Sequence, residues 1–167
     1  MSVKPSKSTK NIVLAGIGGQ GIVKASDILA DVAFRAGHDV KKAEVHGMSQ
    51  RGGSVQSDVR YGAQVLSPMV PAGEADVLVV MEPTQVENNR HWLRPDGLLL
   101  TVELVEKRLP AASKAVNIAM LGALSRHLDL PEKTWHEAIA AAFPEKLLAA
   151  NLEAFAIGRD AAQAGKG

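Results

Sequence analysis

The sequence predicts an α/β domain with a mostly parallel sheet and a helical C-terminal part, and three observations carry that reading. Ile12 to Ala15, Asp76 to Met81 and Leu98 to Val102 are short, nearly all-apolar runs, the pattern of strands buried on both faces. A glycine-rich turn joins the first run to a segment with helical spacing. From Lys114 onward apolar residues recur at helical intervals.

The glycine-rich stretch organises the chain. After Ile12 to Ala15 come Gly16, Gly18, Gly19 and Gly21, with Gln20 between the last two. Ile22, Ala25, Leu29, Val32, Ala33 and Ala36 then share one helical face, with Lys24, Asp27, Asp31 and Arg35 opposite. Gly37 stands where a left-handed helix cap is wanted. The stretch therefore reads as strand, glycine loop and helix, the first half of a βαβ unit. Gly16, Gly18 and Gly21 match G-x-G-x-x-G, and free N–H groups at a helix start suit a phosphate or carboxylate. Tight strand-to-helix packing accounts for the same glycines equally well. Together these features predict a Rossmann-like three-layer fold.

Asp39 to Val45 is a second strand candidate. Glu44 lies about 20 residues beyond the loop, roughly where a ribose-binding acid belongs, but an exposed strand-end glutamate is the favoured reading. The stretch His46-Gly47-Met48-Ser49-Gln50-Arg51-Gly52-Gly53-Ser54 follows, with three glycines, an amide, a guanidinium and an imidazole but one apolar side chain. Core building does not explain that density, so it reads as a site or an interface rather than a turn. Freed backbone amides beside an arginine fork suit an anion.

Val55, Ser57, Val59 and Tyr61 alternate with Gln56, Asp58 and Arg60, a half-exposed strand that is antiparallel to a neighbour or at the sheet edge. Val65 to Gly73 is a loop, Thr84 to Trp92 a short helix, and Arg94 to Gly97 a turn. Glu82-Pro83 lies at the carboxyl end of its strand, where open α/β sheets place ligands. Glu103 to Ser113 carries no clear signal. One helix has Val116, Ala119, Met120, Ala123, Leu124 and Leu128 on one face, with Asn117 as a hydrogen-bonding anchor. A second starts at Pro131 and breaks at Phe143-Pro144, and a third turns Leu147, Leu148, Leu152 and Phe155 inward. The organisation is a disordered tail over 1–10, one domain over 11–158 and a frayed tail over 159–167.

Composition limits the function. There are 167 residues, a net charge of +1 and 4% aromatics, so no broad footprint or stacking platform for nucleic acid is expected. No apolar run suits a membrane span and no leader is recognisable, so a cytoplasmic protein is expected. The chain has no cysteine, which rules out disulfides and thiolate-held iron–sulfur clusters on these residues. His38, His46, His91, His127 and His136 have no ligand spacing, so no metal site and no catalytic residue is expected.

Gly16 to Gly21, followed by Glu44 to Val55 with its Ser49-Gln50-Arg51-Gly52-Gly53 core, resembles the gamma subunit or gamma domain of the 2-oxoacid:ferredoxin oxidoreductases. Ser67-Pro68, Glu74-Ala75-Asp76, Glu82-Pro83, Asn117 with Met120 to Ala123, and Asn151 with Ala154-Phe155 and Gly158 continue the resemblance in order. The wording is nearest to the beta subunit of the indolepyruvate type. The resemblance implies oxidative decarboxylation of a 2-oxoacid onto coenzyme A, with electrons passed to ferredoxin. It implies that thiamine diphosphate and the iron–sulfur clusters sit on companion alpha/beta-type subunits, this chain being inactive alone and holding no cofactor by itself. Gly16, Gly18, Gly19, Gln20, Gly21, Ser49, Gln50, Arg51, Gly52 and Gly53 are the expected binding residues. The stretch from Leu100 to Asn117 is shorter than the family pattern by roughly one element. A stand-alone dinucleotide-binding or nucleotide-sensing domain is the alternative.

Overall fold

The structure, a computed structural model, describes residues 9–47 and 53–164. Strands β1 (Lys10–Ile17), β2 (Asp39–His46), β3 (Ser54–Gly62), β4 (Ala75–Val80) and β5 (Leu93–Thr101) form one sheet in the order β2-β3-β1-β4-β5. The helices are α1 (Ile22–Arg35), α2 (Val86–Asn89), α3 (Val116–Ser125), α4 (Glu132–Ala142) and α5 (Glu145–Ala164).

The sheet is mixed rather than mostly parallel. β1 pairs parallel with β4, and β4 with β5, but β3 runs antiparallel to both β1 and β2. The cause is loop length. Residues 47–53 are too few for the dozen or more that a parallel crossover needs, so β2 and β3 form a hairpin. The alternating strand is therefore antiparallel, as one of its two readings had it, but it lies inside the sheet and β2 takes the edge.

The two sheet faces are covered unequally. Ile12, Leu14, Val59, Val77 and Val79 pack against α1, α3, α4 and α5. Val13, Ala15, Leu78 and Val80 face the other way, under Val70, Val86 and Trp92. In place of a full second helical layer stand the four-residue α2, the 3₁₀ turns Pro83–Gln85 and Arg90–Trp92, and the loop through Val70. That loop also closes the polar face of β3, which is not half-exposed. Val70 N donates to Asp58 Oδ2 (2.9 Å), Arg60 Nη1 to Ser67 O (2.8 Å) and Arg60 Nε to Asn11 Oδ1 (2.8 Å). Asp58 is 1% exposed.

Several local expectations shift. Arg94 to Gly97 is an irregularity within β5, between the pairs Ala75↔Leu93 and Val77↔Leu98, rather than a free turn. Glu103 to Ser113 holds the 3₁₀ turn Glu106–Arg108, just after a turn at Val102–Leu104. Leu147 is exposed rather than inward. α5 continues to Ala164 instead of fraying at Arg159, because Ala161 and Ala162 reach the core and Arg159 Nη1 donates to Ser125 Oγ (2.8 Å). Residues 1–8 and 165–167 lie outside the described residues.

α3 is buried on all sides from Asn117 to Ser125, not along one face. It meets α5 at two glycines. A Cβ on Gly158 would fall inside the Ala119 carbonyl, and one on Gly122 inside the Phe155 carbonyl. Both obstacles are backbone, so neither can step aside. Gly158→Ala should lower stability by about 1–3 kcal/mol or more, read as a lower urea midpoint with an unchanged slope.

Candidate functional site

The glycine loop leaves the carboxyl end of β1. Gly19 and Gly21 have φ of 91° and 77°, a left-handed backbone that favours glycine. Gly16 serves a different purpose: a Cβ there would meet Gln20 Oε1 at 2.6 Å and Ile22 Cδ1 at 2.8 Å. Its bareness lets Gln20 fold back over the loop. Ile17 N donates to Gln20 Oε1 (2.9 Å), and Gln20 Nε2 donates to Glu82 Oε2 (2.9 Å) just past β4. Thr84 Oγ1 donates to the other Glu82 oxygen (3.1 Å).

The far side of the loop is tied to α3. Asn117 Nδ2 donates to Gly21 O (3.2 Å), and the amide fills the space a Gly21 Cβ would take. Asn117 Oδ1 accepts from Ile118 N (3.0 Å), so the expected anchor is present. The loop is thus bound to groups 62 and 96 residues away.

The second glycine-rich stretch meets the first. Gly18 N donates to Gly53 O (2.9 Å), and Ile17 pairs with Ser54 where β3 begins. β1 and β2 are not neighbours in the sheet; the contact arises because β3 lies between them, enters antiparallel and starts where β1 ends. Met48, Ser49, Gln50, Arg51 and Gly52 lie outside the described residues.

Gly19, Gln20, Met81, Glu82, Lys114 and Asn117 line a cleft of about 500 Å³. A second cleft of about 500 Å³, mostly apolar, runs between Leu109 and the start of α5 and shares Lys114 and Asn117 with the first. Sequence reasoning did not single out Lys114 or Thr84; nothing local marks them, since their setting depends on distant elements.

The donors of the loop are largely spent. The N–H groups of Ile17 and Gly18 bind Gln20 and Gly53, and Gln20 N donates to Ile17 O (3.3 Å). Among the described residues the start of α1 has no side-chain cap, and its first-turn N–H groups have no partner within the helix. The Glu82 carboxylate lines the cleft beside Gly19 and Gln20, which disfavours a pyrophosphate pressed against that part of the loop. Glu44 does not act as a ribose acid here. It lies on the edge strand β2, two positions from β1, paired with Lys42 and 3.6 Å from His46. The hydrogen bond from Lys42 holds its carboxyl below the usual carboxylate range. Among the described residues no cluster of three or more His, Cys, Asp or Glu could hold a metal, and no helix is long and apolar enough to cross a membrane.

Comparison with known proteins adds to this geometry. The model of the family described as pyruvate ferredoxin/flavodoxin oxidoreductase matches residues 11–112 and 102–161. Indolepyruvate oxidoreductase subunit IorB of Thermococcus kodakarensis is 34% identical over 193 residues, covering 92% of this chain and 96% of the relative. The 2-oxoglutarate:ferredoxin oxidoreductase of Magnetococcus marinus, solved with 2-oxoglutarate, coenzyme A and succinyl-CoA, superposes with a TM-score of 0.81 at 25% identity. That match covers 95% of this chain but 32% of the larger one. The gamma subunit of a keto/oxoacid ferredoxin oxidoreductase from Geobacter sulfurreducens shares the fold, with a TM-score of 0.80 at 20% identity over 94% of this chain and 98% of its own.

Two outcomes follow from the loop geometry. Gln20→Ala removes both side-chain bonds and leaves the Ile17 N–H without a partner, so stability should fall by about 1–3 kcal/mol, measured by urea unfolding. Calorimetry with NAD and NADH should give dissociation constants weaker than low micromolar, a binding free energy short of about −7 kcal/mol.

Proposed function

The chain belongs to the pyruvate ferredoxin/flavodoxin oxidoreductase family, and from that premise we propose that it is the gamma-type subunit of a 2-oxoacid:ferredoxin oxidoreductase. Such an enzyme cleaves a 2-oxoacid to carbon dioxide and an acyl group, transfers the acyl group to coenzyme A and passes two electrons to ferredoxin. Indolepyruvate stands first among the substrates, after a relative that is 34% identical and matches along nearly its whole length. The substrate pocket belongs to companion subunits.

Thiamine diphosphate, held on a companion chain, would supply the electron sink for decarboxylation. Iron–sulfur ligands also come from companions, since these 167 residues contain no cysteine. The part of this chain is binding and orientation. The contact of Gly18 with Gly53 supports the proposal, because it joins the first motif loop to the last glycine of the second. Gly16, Gly18, Gly19, Gln20 and Gly21 give the carboxyl end of β1 a fixed backbone, with the uncapped start of α1 behind it. Ser49, Gln50, Arg51, Gly52 and Gly53 supply amides and one guanidinium. That chemistry suits an anion, either a phosphate of coenzyme A or a carboxylate on a companion subunit. A guanidinium in two charge-assisted hydrogen bonds is worth about 1.5–3 kcal/mol for each bond.

The test is reconstitution. The purified chain alone should show no 2-oxoacid-dependent reduction of a viologen dye, and turnover should appear when companion subunits are added. Arg51→Lys keeps the charge but loses the planar fork. It should leave thermal unfolding unchanged while raising the Michaelis constant for coenzyme A, or weakening assembly, by roughly tenfold or more. Turnover by the chain alone would refute the subunit reading. Normal assembly and coenzyme A kinetics in the Arg51→Lys complex would reduce the loop to a turn.

A further inference from the structure

β2 ends the sheet with an edge of eight residues, Asp39–His46, that contains no proline, glycine or bulge. The opposite edge differs. β5 carries Pro95, which has no N–H to offer, and its register breaks between Leu93 and Leu98. One edge of this sheet is blocked and the other is regular along its whole length.

We propose that two copies of this chain join through their β2 edges, antiparallel about a two-fold axis at Ala43, so that two five-stranded sheets become one. The backbone selects the residues that can pair. Gly47 N donates to Ser54 O, so along this antiparallel ladder the odd-numbered residues exchange hydrogen bonds with β3. Val40, Lys42, Glu44 and His46 therefore turn their N–H and C=O groups outward. A two-fold axis normal to the sheet keeps the same face up in both copies, so even-numbered residues must meet even-numbered ones.

Charge then selects the register. With the axis at Lys42, lysine meets lysine; with the axis at Glu44, glutamate meets glutamate. With the axis at Ala43, Lys42 faces the partner's Glu44 and Glu44 the partner's Lys42, while Val40 and His46 pair at the ends. Lys42 already bonds Glu44 of its own strand and lies 2.9 Å from Asp27 on α1, so both groups are held on one face of the edge. Ala43 at the axis is small, and the pair there is the non-hydrogen-bonded kind, with Cα atoms about 4.5 Å apart. The inference uses neither the 2-oxoacid chemistry nor Arg51, so it stands or falls separately from them.

The absence of cysteine makes the test direct. Sedimentation of the full chain should show a concentration-dependent dimer. Ala43→Cys should form a disulfide-linked dimer on mild oxidation, since the expected separation lies within disulfide range, whereas Lys42→Cys should not. Glu44→Lys alone and Lys42→Glu alone should each weaken self-association roughly tenfold. Mixed together they should form heterodimers, because each cross-strand pair then joins lysine to glutamate. A monomer at all concentrations with no Ala43→Cys cross-link would overturn the proposal. Faster cross-linking of Lys42→Cys, or no gain on mixing the two charge variants, would overturn the register.

Discussion

The antiparallel ladder between β1 and β3 is the constraint on which the rest of the molecule depends. Ile17 pairs with Ser54 at one end of it and Lys10 with Tyr61 at the other. The first pairing delivers the end of one glycine-rich loop to the start of the other. The second directs the chain beyond β3 back across the polar face of that strand, where Asp58 and Arg60 clamp the loop containing Ser67 and Val70. β3 also occupies the place beside β1 that a doubly wound fold would give to β2. Displaced to the edge, β2 cannot bring an acid to the glycine loop, and the dinucleotide reading loses its geometric basis.

The helical side of the site is set by close packing. α3 lies against α5 at a distance that only glycine permits at positions 122 and 158. Trp135 and Phe155, both fully buried, fill the adjoining layer with ring centroids 5.6 Å apart. With α3 fixed in this way, Asn117 at its start is held against Gly21, and the glycine loop has a rigid wall on that side. Glu82 supplies the opposite wall through Gln20. The motif residues thus act partly on one another: Gly16 is bare so that Gln20 can turn back, and Gly21 is bare so that Asn117 can enter.

This explains how a G-x-G-x-x-G pattern can stand in a chain whose relatives are 2-oxoacid oxidoreductase subunits. The spacing encodes a sharp exit from a strand into a helix, and many ligands are compatible with that turn. What distinguishes this loop is the use of its amides. Those of Ile17, Gly18 and Gln20 bind within the chain, and the Glu82 carboxylate lines the cleft beside Gly19 and Gln20. Those features involve Glu82, Asn117 and Gly53, none of them inside the motif.

The sequence by itself determined the local elements. Four apolar residues before the glycines make β1, the spacing from Ile22 to Ala36 makes α1, and Gly37 at φ 92° ends that helix. The break at Phe143-Pro144 and the alternation of β3, which left an antiparallel and an edge placement both open, were legible for the same reason: period, proline and glycine act within a few residues of themselves. The order of the motifs was enough to suggest the family. Only the tertiary structure decided the strand order, the burial of Asp58, the bond of Gln20 to Glu82 and that of Asn117 to Gly21. An alternating pattern states that one face differs from the other, but not what will cover either face. A polar side chain states what it can donate or accept, but not which group the fold will bring to it.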